Sequence, residues 1–454
     1  MKKIILSTLM AAAIIAVPSC KKKGCMDATA TNYNAEAEKE DEDEPCEYAT
    51  DTTTTDSATV TQMTIKDDGN GTGTTTWTKD KTYFLDGMVF VNAGQVLTIE
   101  AGTVIKGKAG AGASASALII ARGGKIMAEG TAAMPIIFTA ESDPTVRNAD
   151  GTLTQSTALD ASKAGLWGGL IVLGNAGLNS QPGQTAIEGI PTTESRGLYG
   201  GANDADNSGV IKYVSIRHGG TDIGAGNEIN GLSLGGVGSG TTIDYVEIFA
   251  NADDGIEFFG GTVQAKHLLV SNTGDDSFDY DEGFRGKGQY WVSLSPGDRH
   301  GEHDGGTDPE TATPYATPTV YNATYIGTSS KLTFRDNAGG TYANSILLVA
   351  KIDVEDLASG EDSKSRLDAG DLNIGENVID AATTIVDSND GDLTGHANVA
   401  TQSTTATGVT TANPVPATAV SATGLSGDTF IDNVTYKGAF SGSNWAQGWT
   451  RTFN

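Results

Sequence analysis

A repeat of 22 residues in the middle of the chain limits the folds that are possible. Residues 243–258 align with residues 265–280 without a gap. The apolar positions of the two stretches coincide: Val246 with Leu268, Ile248 with Val270, Ile256 with Phe278, and Phe258 with Tyr280. A repeat of this length holds two short strands and cannot bury its apolar face alone, so successive repeats stack about 4.8 Å apart around one core. The chain is therefore predicted to be all-β, with a right-handed parallel β-helix as its main part.

An earlier copy of the repeat carries an insertion. Its first strand, with Val214 and Ile216, aligns with the next copy at an offset of 32 residues, whereas its second strand, residues 231–236, aligns at an offset of 24. The difference of eight residues predicts an insertion in the loop 218–230. The same alignment predicts one outward-facing column of Tyr213, Tyr245 and His267.

Short β-rich runs separated by glycine and asparagine occur from Tyr83 onward. They have no helical periodicity, and glycine-bounded strands at this density favour a solenoid. We expect the β-helix to occupy residues 83–350, with on the order of ten coils. Residues 49–82 are rich in Thr, Asp and Gly and are predicted to be a linker.

The last part of the chain, residues 351–454, is predicted to be an extension and cap. Residues 353–369 are charged and are consistent with a short helix, and the Thr/Ala-rich residues 390–420 indicate a long loop. Trp445 and Trp449 are expected to plug the last coil, because an open end of a β-helix is an unpaired edge.

The first residues form a targeting segment. Residues 1–19 combine two lysines with an apolar stretch that is too short to span a bilayer, which is typical of a signal peptide. Residues 17–20 resemble a bacterial lipobox, which implies that Cys20 is lipidated; the alternative is an ordinary signal peptide with an incidental cysteine. Lys21 follows Cys20, and in the enterobacterial sorting rule this implies the outer membrane. The expected partner of the N-terminus is therefore a membrane, reached through a lipid anchor.

The two other cysteines, Cys25 and Cys46, form an even pair in an oxidising compartment, and a disulfide is expected between them. Residues 20–48 are assigned to the lipid anchor and a Cys-bracketed acidic motif, which resembles a motif of exported Bacteroidetes proteins. Hard oxygen ligands for Ca²⁺ are available there on Asp27, Asn32 and Asn34. The alternative is an acidic spacer between the anchor and the rod.

The charge of the chain restricts its partners. Asp and Glu number 57 and Lys and Arg number 29, which gives a net charge of −28. Such a surface repels phosphate backbones, so we expect no nucleic acid partner. It attracts divalent cations, although a solvated acidic coat is the simpler interpretation.

Nine segments together resemble a family of bacterial exported β-helix lipoproteins: 97–105, 128–131, 135–139, 167–172, 213–220, 253–261, 281–288, 438–440 and 445–450. The resemblance covers about residues 83–350 and the last fifteen residues. It implies the pectin-lyase-like fold. It implies no assigned activity.

A column of acidic and amide side chains is predicted at one corner of the coils. The alignment places Asn230, Asp254 and Asp276 in equivalent positions, with Asp253 and Asp275 beside them. Stacked carboxylates repel one another unless a cation or a proton lies between them, and Ca²⁺ accepts several such oxygens. The alternative is turn chemistry, in which Asx side chains bond nearby backbone N–H groups.

The same acids permit a catalytic interpretation. Asp253, Asp254, Asp275 and Asp276 could act as acid and base, with Arg217, His218 or Arg285 near them, as in pectin-degrading enzymes. The chain departs from the polygalacturonase pattern, because it has Arg-His-Gly-Gly at residues 217–220 and lacks Arg-Ile-Lys. A shared fold is not evidence of shared chemistry.

Residues 299–304 hold the densest group of metal-capable side chains, including His300 and His303. They are predicted to lie in a loop that leaves the rod after Trp291. A metal-handling loop and a solvated polar loop are both open, and the spacing matches no established zinc pattern.

The leading functional hypothesis is a non-catalytic scaffold or binding protein of the cell envelope, stabilised by Ca²⁺, with a glycan or another surface protein as its ligand. The first alternative is a polysaccharide lyase or glycoside hydrolase. The two are separated by whether a basic residue converges on the Asp column.

Overall fold

The chain forms two compact units, residues 1–57 and residues 58–454. The computed structural model describes residues 22–27, 30, 32–39, 45–46, 60–224, 227–306, 309–404, 406–423 and 427–454. The predicted signal peptide, residues 1–19, and Cys20 lie outside the described residues. Among the described residues, no helix is both long and apolar enough to cross a membrane.

The N-terminal unit contains the predicted disulfide, which joins Cys25 to Cys46 and is thereby confirmed. Among the residues of this unit that the structure describes, backbone pairing consists of single bridges, such as that between Cys25 and Tyr33. A unit of this size has little apolar core, and a cross-link stabilises it by restricting the unfolded chain.

The second unit is a parallel β-helix, as predicted, with three strands in each full coil. Its three sheets are called A, B and C. Sheet A contains Met88–Val91, Ala117–Ile120, Leu170–Leu173, Leu232–Gly235, Ile256–Phe259, Phe278–Asp281, Arg299–Asp304, the later parts of Thr324–Arg335 and Gly340–Val354, and Thr384–Asp387.

Sheets B and C share several long strands that bend from one sheet into the other. Sheet B contains Thr75–Trp77, Val96–Ile99, Lys125–Glu129, the first parts of Gly209–Arg217, Thr242–Phe249, Gln264–Ser271 and Lys287–Leu294, then Thr319–Tyr321 and the first parts of Gly340–Val354 and Leu372–Asp380. Sheet C contains Thr61–Ile65, Lys81–Leu85, Val104–Gly107, Ile136–Ala140, the later parts of the same four long strands, the first part of Thr324–Arg335, the middle of Gly340–Val354, the end of Leu372–Asp380, and Gln402–Ser403.

The predicted register is confirmed in these sheets. The apolar pairs coincide as expected: Val214 with Val246, Val246 with Leu268, Ile248 with Val270, Leu234 with Phe258, Ile256 with Phe278, and Phe258 with Tyr280. Each of these side chains is buried in one continuous core. Like residues in successive coils therefore fill the interior of the rod.

The corner between sheets B and C carries the predicted aromatic column. Tyr213, Tyr245, His267 and Tyr290 all have positive φ, from 48° to 61°. Left-handed backbone costs about 1–2 kcal/mol for a residue with a Cβ. Stacking offsets that cost, because the ring centroids of successive members lie 4.3, 4.0 and 4.7 Å apart. The column is confirmed and extends one residue further than predicted.

The rod is longer than the predicted range 83–350. Thr61–Ile65 pairs with Lys81–Leu85, and Thr75–Trp77 pairs with Val96–Ile99, so the first coils occupy part of the stretch assigned to a linker. These strands escaped detection because their threonines face solvent and give almost no apolar signal. At the other end, sheet C continues to Gln402–Ser403.

The last segment, residues 427–454, lies along the rod at the corner between sheets B and C. In its middle, the Gly438 N–H donates to the Asn344 carbonyl at 2.7 Å. Near its end, the Arg451 N–H donates to Glu247 Oε2 at 2.8 Å. The segment therefore contacts coils far from the end of the rod.

Trp445 and Trp449 do not plug the last coil, and this prediction is wrong. The Trp449 ring lies 5.3 Å from that of Tyr213, and the Trp445 ring lies 5.1 Å from that of His267. The aromatic column faces outward and offers a large apolar surface, which these tryptophans cover.

The remaining elements are short. The predicted helix is present as Ser363–Ala369, with Asp362 as its N-cap, since Asp362 Oδ1 accepts from the Ser365 N–H at 2.7 Å. The others are antiparallel pairs and single 3₁₀ turns: Val146–Arg147 with Leu153–Thr154, Thr185–Ala186 with Leu198–Tyr199, Asp222–Gly224 with Asn227–Glu228, Gly112–Ser114, and Ser195–Gly197. The pair at 222–228 lies in the predicted insertion.

Candidate functional site

The turn that leads into sheet A holds the predicted column of Asn230, Asp254 and Asp276. Asp254 Oδ1 accepts from the Asp276 N–H at 2.8 Å, and Asp276 Oδ1 accepts from the Arg299 N–H at 2.6 Å. Each aspartate thus bonds the backbone of the next coil. Turn chemistry therefore accounts for one oxygen of each carboxylate.

A carboxylate cluster lies beside this turn, on the outer face of sheet A. One oxygen each from Asp254, Glu257 and Asp279 lies within 4.8 Å of the others. Asp254 and Glu257 are buried. The same description fits a second group, Asp253 and Asp275 with Asp254, which is more exposed.

Glu257 and Asp279 were not predicted as site residues, although a signal for them exists. They pair in register across successive coils. Each lies between two apolar residues that face the core, so strand alternation turns it outward, beside the Asp column. The offset of 22 residues that aligned the core also aligned these two acids.

Asn230 and Glu188 complete the surroundings of the cluster. Glu188 comes from the excursion between sheet A strands Leu170–Leu173 and Leu232–Gly235. The Asn230 carboxamide donates to both Glu188 Oε1, at 3.0 Å, and Glu257 Oε2. Its own Oδ1 is buried without a hydrogen-bond partner, as is Oδ1 of Asp279. Oxygen atoms in such a state retain their affinity for a cation or a proton.

The electrostatics of the cluster favour neutralisation. The pKa values of Asp254, Glu257 and Asp279 are raised well above their usual range, first by burial and then by repulsion from neighbouring carboxylates. Burial and nearby Glu188 raise the pKa of Asp253 to about 7. Among the described side chains, no Lys, Arg or His nitrogen forms an ion pair with Asp254, Glu257 or Asp279.

A basic residue does converge on the Asp column, and it is Arg299. Its Nη1 lies 3.3 Å from Asp276 Oδ2 and 2.9 Å from Glu302 Oε2. Asp298 also pairs with this nitrogen, at 3.1 Å. Burial and the Glu302 carboxylate raise the pKa of Asp276 to about 7, against the lowering effect of Arg299.

Arg217 and His218, the basic residues of the catalytic interpretation, make their contacts elsewhere. The Arg217 guanidinium is buried outside sheet C, 2.7 Å from Ser215 Oγ and 4.0 Å from Glu247 Oε2. His218 Nδ1 bonds the Lys163 carbonyl. Both belong to the end of a sheet C strand and its corner.

The predicted loop at residues 299–304 is wrong, because Arg299–Asp304 is a strand of sheet A. His300 and His303 are completely buried. The His303 ring stacks 4.2 Å from that of Tyr280 and bonds the Tyr342 hydroxyl at 3.0 Å. Burial lowers the pKa of His300 to about 4 and that of His303 well below its usual range. Neither histidine is available as a surface metal ligand.

The N-terminal unit gives less support for a Ca²⁺ site. Asn34 Oδ1 accepts from the Glu36 N–H at 3.0 Å, and the Asn32 carboxamide donates to the Pro45 carbonyl at 2.9 Å. These contacts stabilise the loop. Coordination by Asp27, Asn32 and Asn34 stays a prediction.

The acidic surface of sheet A continues towards the end of the rod. Asp281, Asp304, Asp336 and Glu310 line an open depression of about 600 Å³. Arg335 neutralises part of it, because its Nε and Nη2 lie 2.6 and 2.9 Å from the two oxygens of Asp304. The charge of this depression is therefore partly neutralised by a bidentate salt bridge.

Stacked coils of three parallel sheets, with an acid-lined turn beside one of them, define a parallel β-helix of the pectin-lyase-like type. A family model described as "Pectate-lyase like beta helix domain" matches residues 69–450, and the chain belongs to this family. Neither the curated proteins nor the solved structures contained a match to the chain.

Proposed function

We propose that this protein is a non-catalytic binding protein of the cell envelope whose β-helix is stabilised by Ca²⁺. The observation that carries the cation is the cluster of Asp254, Glu257 and Asp279. Their raised pKa values identify carboxylates that need a proton or a cation near neutral pH. The ligand of the rod is a glycan or a surface protein, and the lipid on Cys20 holds the protein at the outer membrane.

The spacing of the cluster permits one Ca²⁺ to contact all three carboxylates. Two oxygens bound to one ion at about 2.4 Å each are at most about 4.8 Å apart. The oxygens of the three carboxylates lie within 4.8 Å of one another. Within the cluster, Oδ1 of Asp279 has no hydrogen-bond partner and is a hard donor of the type that Ca²⁺ prefers.

The basic residues support a binding role over catalysis. Arg299 makes ion pairs with Asp276, Asp298 and Glu302. A guanidinium held by three carboxylates is poorly placed to meet a substrate. Asp276 and Glu302, the carboxylates that could act as a base beside Arg299, belong to the same set of ion pairs.

The experiment is thermal unfolding of the full chain with Ca²⁺ and with a chelator. At a free Ca²⁺ concentration about a hundredfold above the dissociation constant, the ion stabilises the folded state by about 2.7 kcal/mol. We expect Asp279→Asn to lose most of this gain. The control Glu129→Gln removes an exposed carboxylate from sheet B and should respond like the parent. An equal response of Asp279→Asn and the parent, or none in either, would contradict the proposal.

A second candidate is a polysaccharide lyase or glycoside hydrolase. It is favoured by one observation: Asp253 and Asp276, both with a pKa of about 7, can exchange protons at neutral pH, and Arg299 lies beside Asp276. Uronic-acid polymers, assayed by the absorbance of unsaturated products with and without Ca²⁺, test for lyase activity, and a reducing-end assay on the same polymers tests for hydrolysis. Turnover that is lost in Asp276→Asn would replace the proposal of a non-catalytic protein.

A further inference from the structure

A polar pocket with one aromatic wall lies on the outer face of sheet B, away from the carboxylate cluster. It has a volume of about 380 Å³, which is within the range of small-molecule sites, about 300–1,000 Å³. Thr242 and Gln264 are adjacent in register across two coils, and so are Asp244 and Lys266. Phe430 forms the opposite wall.

The C-terminal segment holds Phe430 in place. The Phe430 N–H donates to Asp428 Oδ1 at 2.8 Å, and Asp428 pairs with Lys287 of sheet B. Two residues further on, Asp432 exchanges two hydrogen bonds of 2.9 Å with the Gln289 side chain. The backbone on either side of Phe430 is therefore held against the rod, which places its ring at the pocket without a ligand.

The charged groups of the pocket are already balanced. Lys266 Nζ lies 2.8 Å from Asp432 Oδ2 and 4.9 Å from the centre of the Phe430 ring. Asp244 lies 3.5 Å from Lys212 Nζ and 2.8 Å from His267 Nδ1. A ligand need not bring a net charge, since neither sign is left over in the pocket.

Uncharged hydrogen-bonding groups remain available. Within the described part of the chain, the side chains of Gln264, Thr242 and Thr429 make no hydrogen bond. A carboxamide and two hydroxyls donate and accept equally, as sugar hydroxyls do. Lys266 lies over one face of the Phe430 ring, and the partly exposed ring supplies apolar surface for the C–H side of a pyranose. These three properties together are those of a carbohydrate site.

We propose that this pocket binds a neutral pyranose of an oligosaccharide, stacked on Phe430 and hydrogen-bonded to Gln264. The inference deepens the proposed binding function, because it names a ligand class and a place on the rod. It is independent of the Ca²⁺ cluster, whose residues lie on another sheet. An anionic saccharide would find no unpaired cation in the pocket, because its lysine is already paired. A neutral sugar uses the free carboxamide and hydroxyls, which makes it the better fit.

The test is calorimetric titration of the purified full chain with five probes. Cellohexaose, maltohexaose, mannohexaose and chitohexaose are the neutral probes, and hexagalacturonate is the anionic one. At least one neutral probe should bind. Phe430→Ala and Gln264→Ala should each raise its Kd about tenfold or more. An unchanged melting temperature will show that each variant has kept the rod.

The matched control is Gln62→Ala, which removes an exposed glutamine from the first strand of sheet C and should leave the Kd unchanged. Asp279→Asn, the variant for the cation cluster, should also bind the neutral probe as the parent does. Three results would overturn the pocket: no neutral probe binds, hexagalacturonate alone binds, or Phe430→Ala and Gln264→Ala bind like the parent. If the protein cleaves a probe and Phe430→Ala abolishes the cleavage, the pocket is supported and only the non-catalytic role is contradicted.

Discussion

The Oδ1 atom of Asp254 accepts a hydrogen bond from the backbone N–H of Asp276, 2.8 Å away in the next coil. A carboxylate has two oxygens, so this bond leaves the other one for the cluster with Glu257 and Asp279. Asp254 can therefore stabilise the turn with one oxygen and contribute the other to the proposed cation site. Substitutions at Asp254 can separate them.

Asp254→Asn keeps an oxygen acceptor for the Asp276 N–H but removes the charge. We expect its stability in chelator to equal that of the parent or exceed it, because a buried like-charge repulsion is lost, and its gain from Ca²⁺ to be small. Asp254→Ala also leaves a buried N–H without a partner, which costs about 1–3 kcal/mol. Denaturant unfolding with and without Ca²⁺ measures both effects. Equal stability of the two variants in chelator would show that the hydrogen bond contributes nothing.

Stability without Ca²⁺ should fall as the pH rises from 6.5 to 8. Asp253 and Asp276 have a pKa of about 7 in the folded protein, whereas an unfolded aspartate titrates near pH 3.9. Between these values the folded state binds more protons, so raising the pH favours unfolding. The lowered pKa of His300, about 4, acts in the opposite direction but only below about pH 6.5.

Melting temperatures in chelator at several pH values test this dependence. Asp276→Asn should flatten the profile, since it removes one of the titrating groups. A melting temperature that is constant or rises over this range would contradict the raised pKa values.

Replacement of His303 should affect packing and not metal binding. The imidazole is completely buried between Tyr280 and Tyr342. His303→Ala leaves a cavity and an unpaired Tyr342 hydroxyl, and we expect a loss of about 2–4 kcal/mol in the free energy of unfolding. Zinc titration of the parent should show no site that this variant lacks. A zinc affinity lost on substitution would restore the metal-handling hypothesis.

Glu247 should anchor the C-terminal segment. Its carboxylate accepts hydrogen bonds from the backbone N–H groups of Arg451 and Thr452, each 2.8 Å away, and lies 4.0 Å from the buried Arg217. Glu247→Ala leaves that guanidinium uncompensated, which costs about 3–5 kcal/mol. Limited proteolysis should then cleave the segment faster than in the control Glu129→Gln. Cleavage at the parent rate would mean that the tryptophans alone hold it.

Cys20→Ser should release the protein from membranes into the soluble fraction, because the lipid is the anchor in the proposed function. Carbonate washing of envelopes followed by immunoblotting measures this. If the variant still sediments with the membranes, the lipoprotein interpretation does not hold.

The repeat predicted the core because burial imposes a period on apolar residues. The repeat also relates residues of different polarity. Leu268 pairs with Trp291 at an offset of 23, and the same offset pairs Tyr280 with His303. His303 was missed because histidine is polar by residue type, although it takes the place of an aromatic core residue. Burial by stacked neighbours outweighs that polarity when the ring has a hydroxyl partner.

The positions of Glu257 and Asp279 could have been predicted from the sequence, whereas the surface that Trp445 and Trp449 cover could not. The first follows from strand alternation beside a known turn. The second depends on a contact between residues about 200 positions apart, such as Tyr245 and Trp449. No local pattern specifies which of many outward surfaces a distant segment will cover.

The return of the last residues to Glu247 also bears on how the protein matures. A linear solenoid can fold coil by coil as it emerges, since each coil needs only its neighbours. Here the middle coils obtain their outer cover from the final residues of the chain, so their folding includes contacts of very long sequence separation. If the chain is exported as proposed, these coils are closed only after residues 427–454 have left the translocation channel.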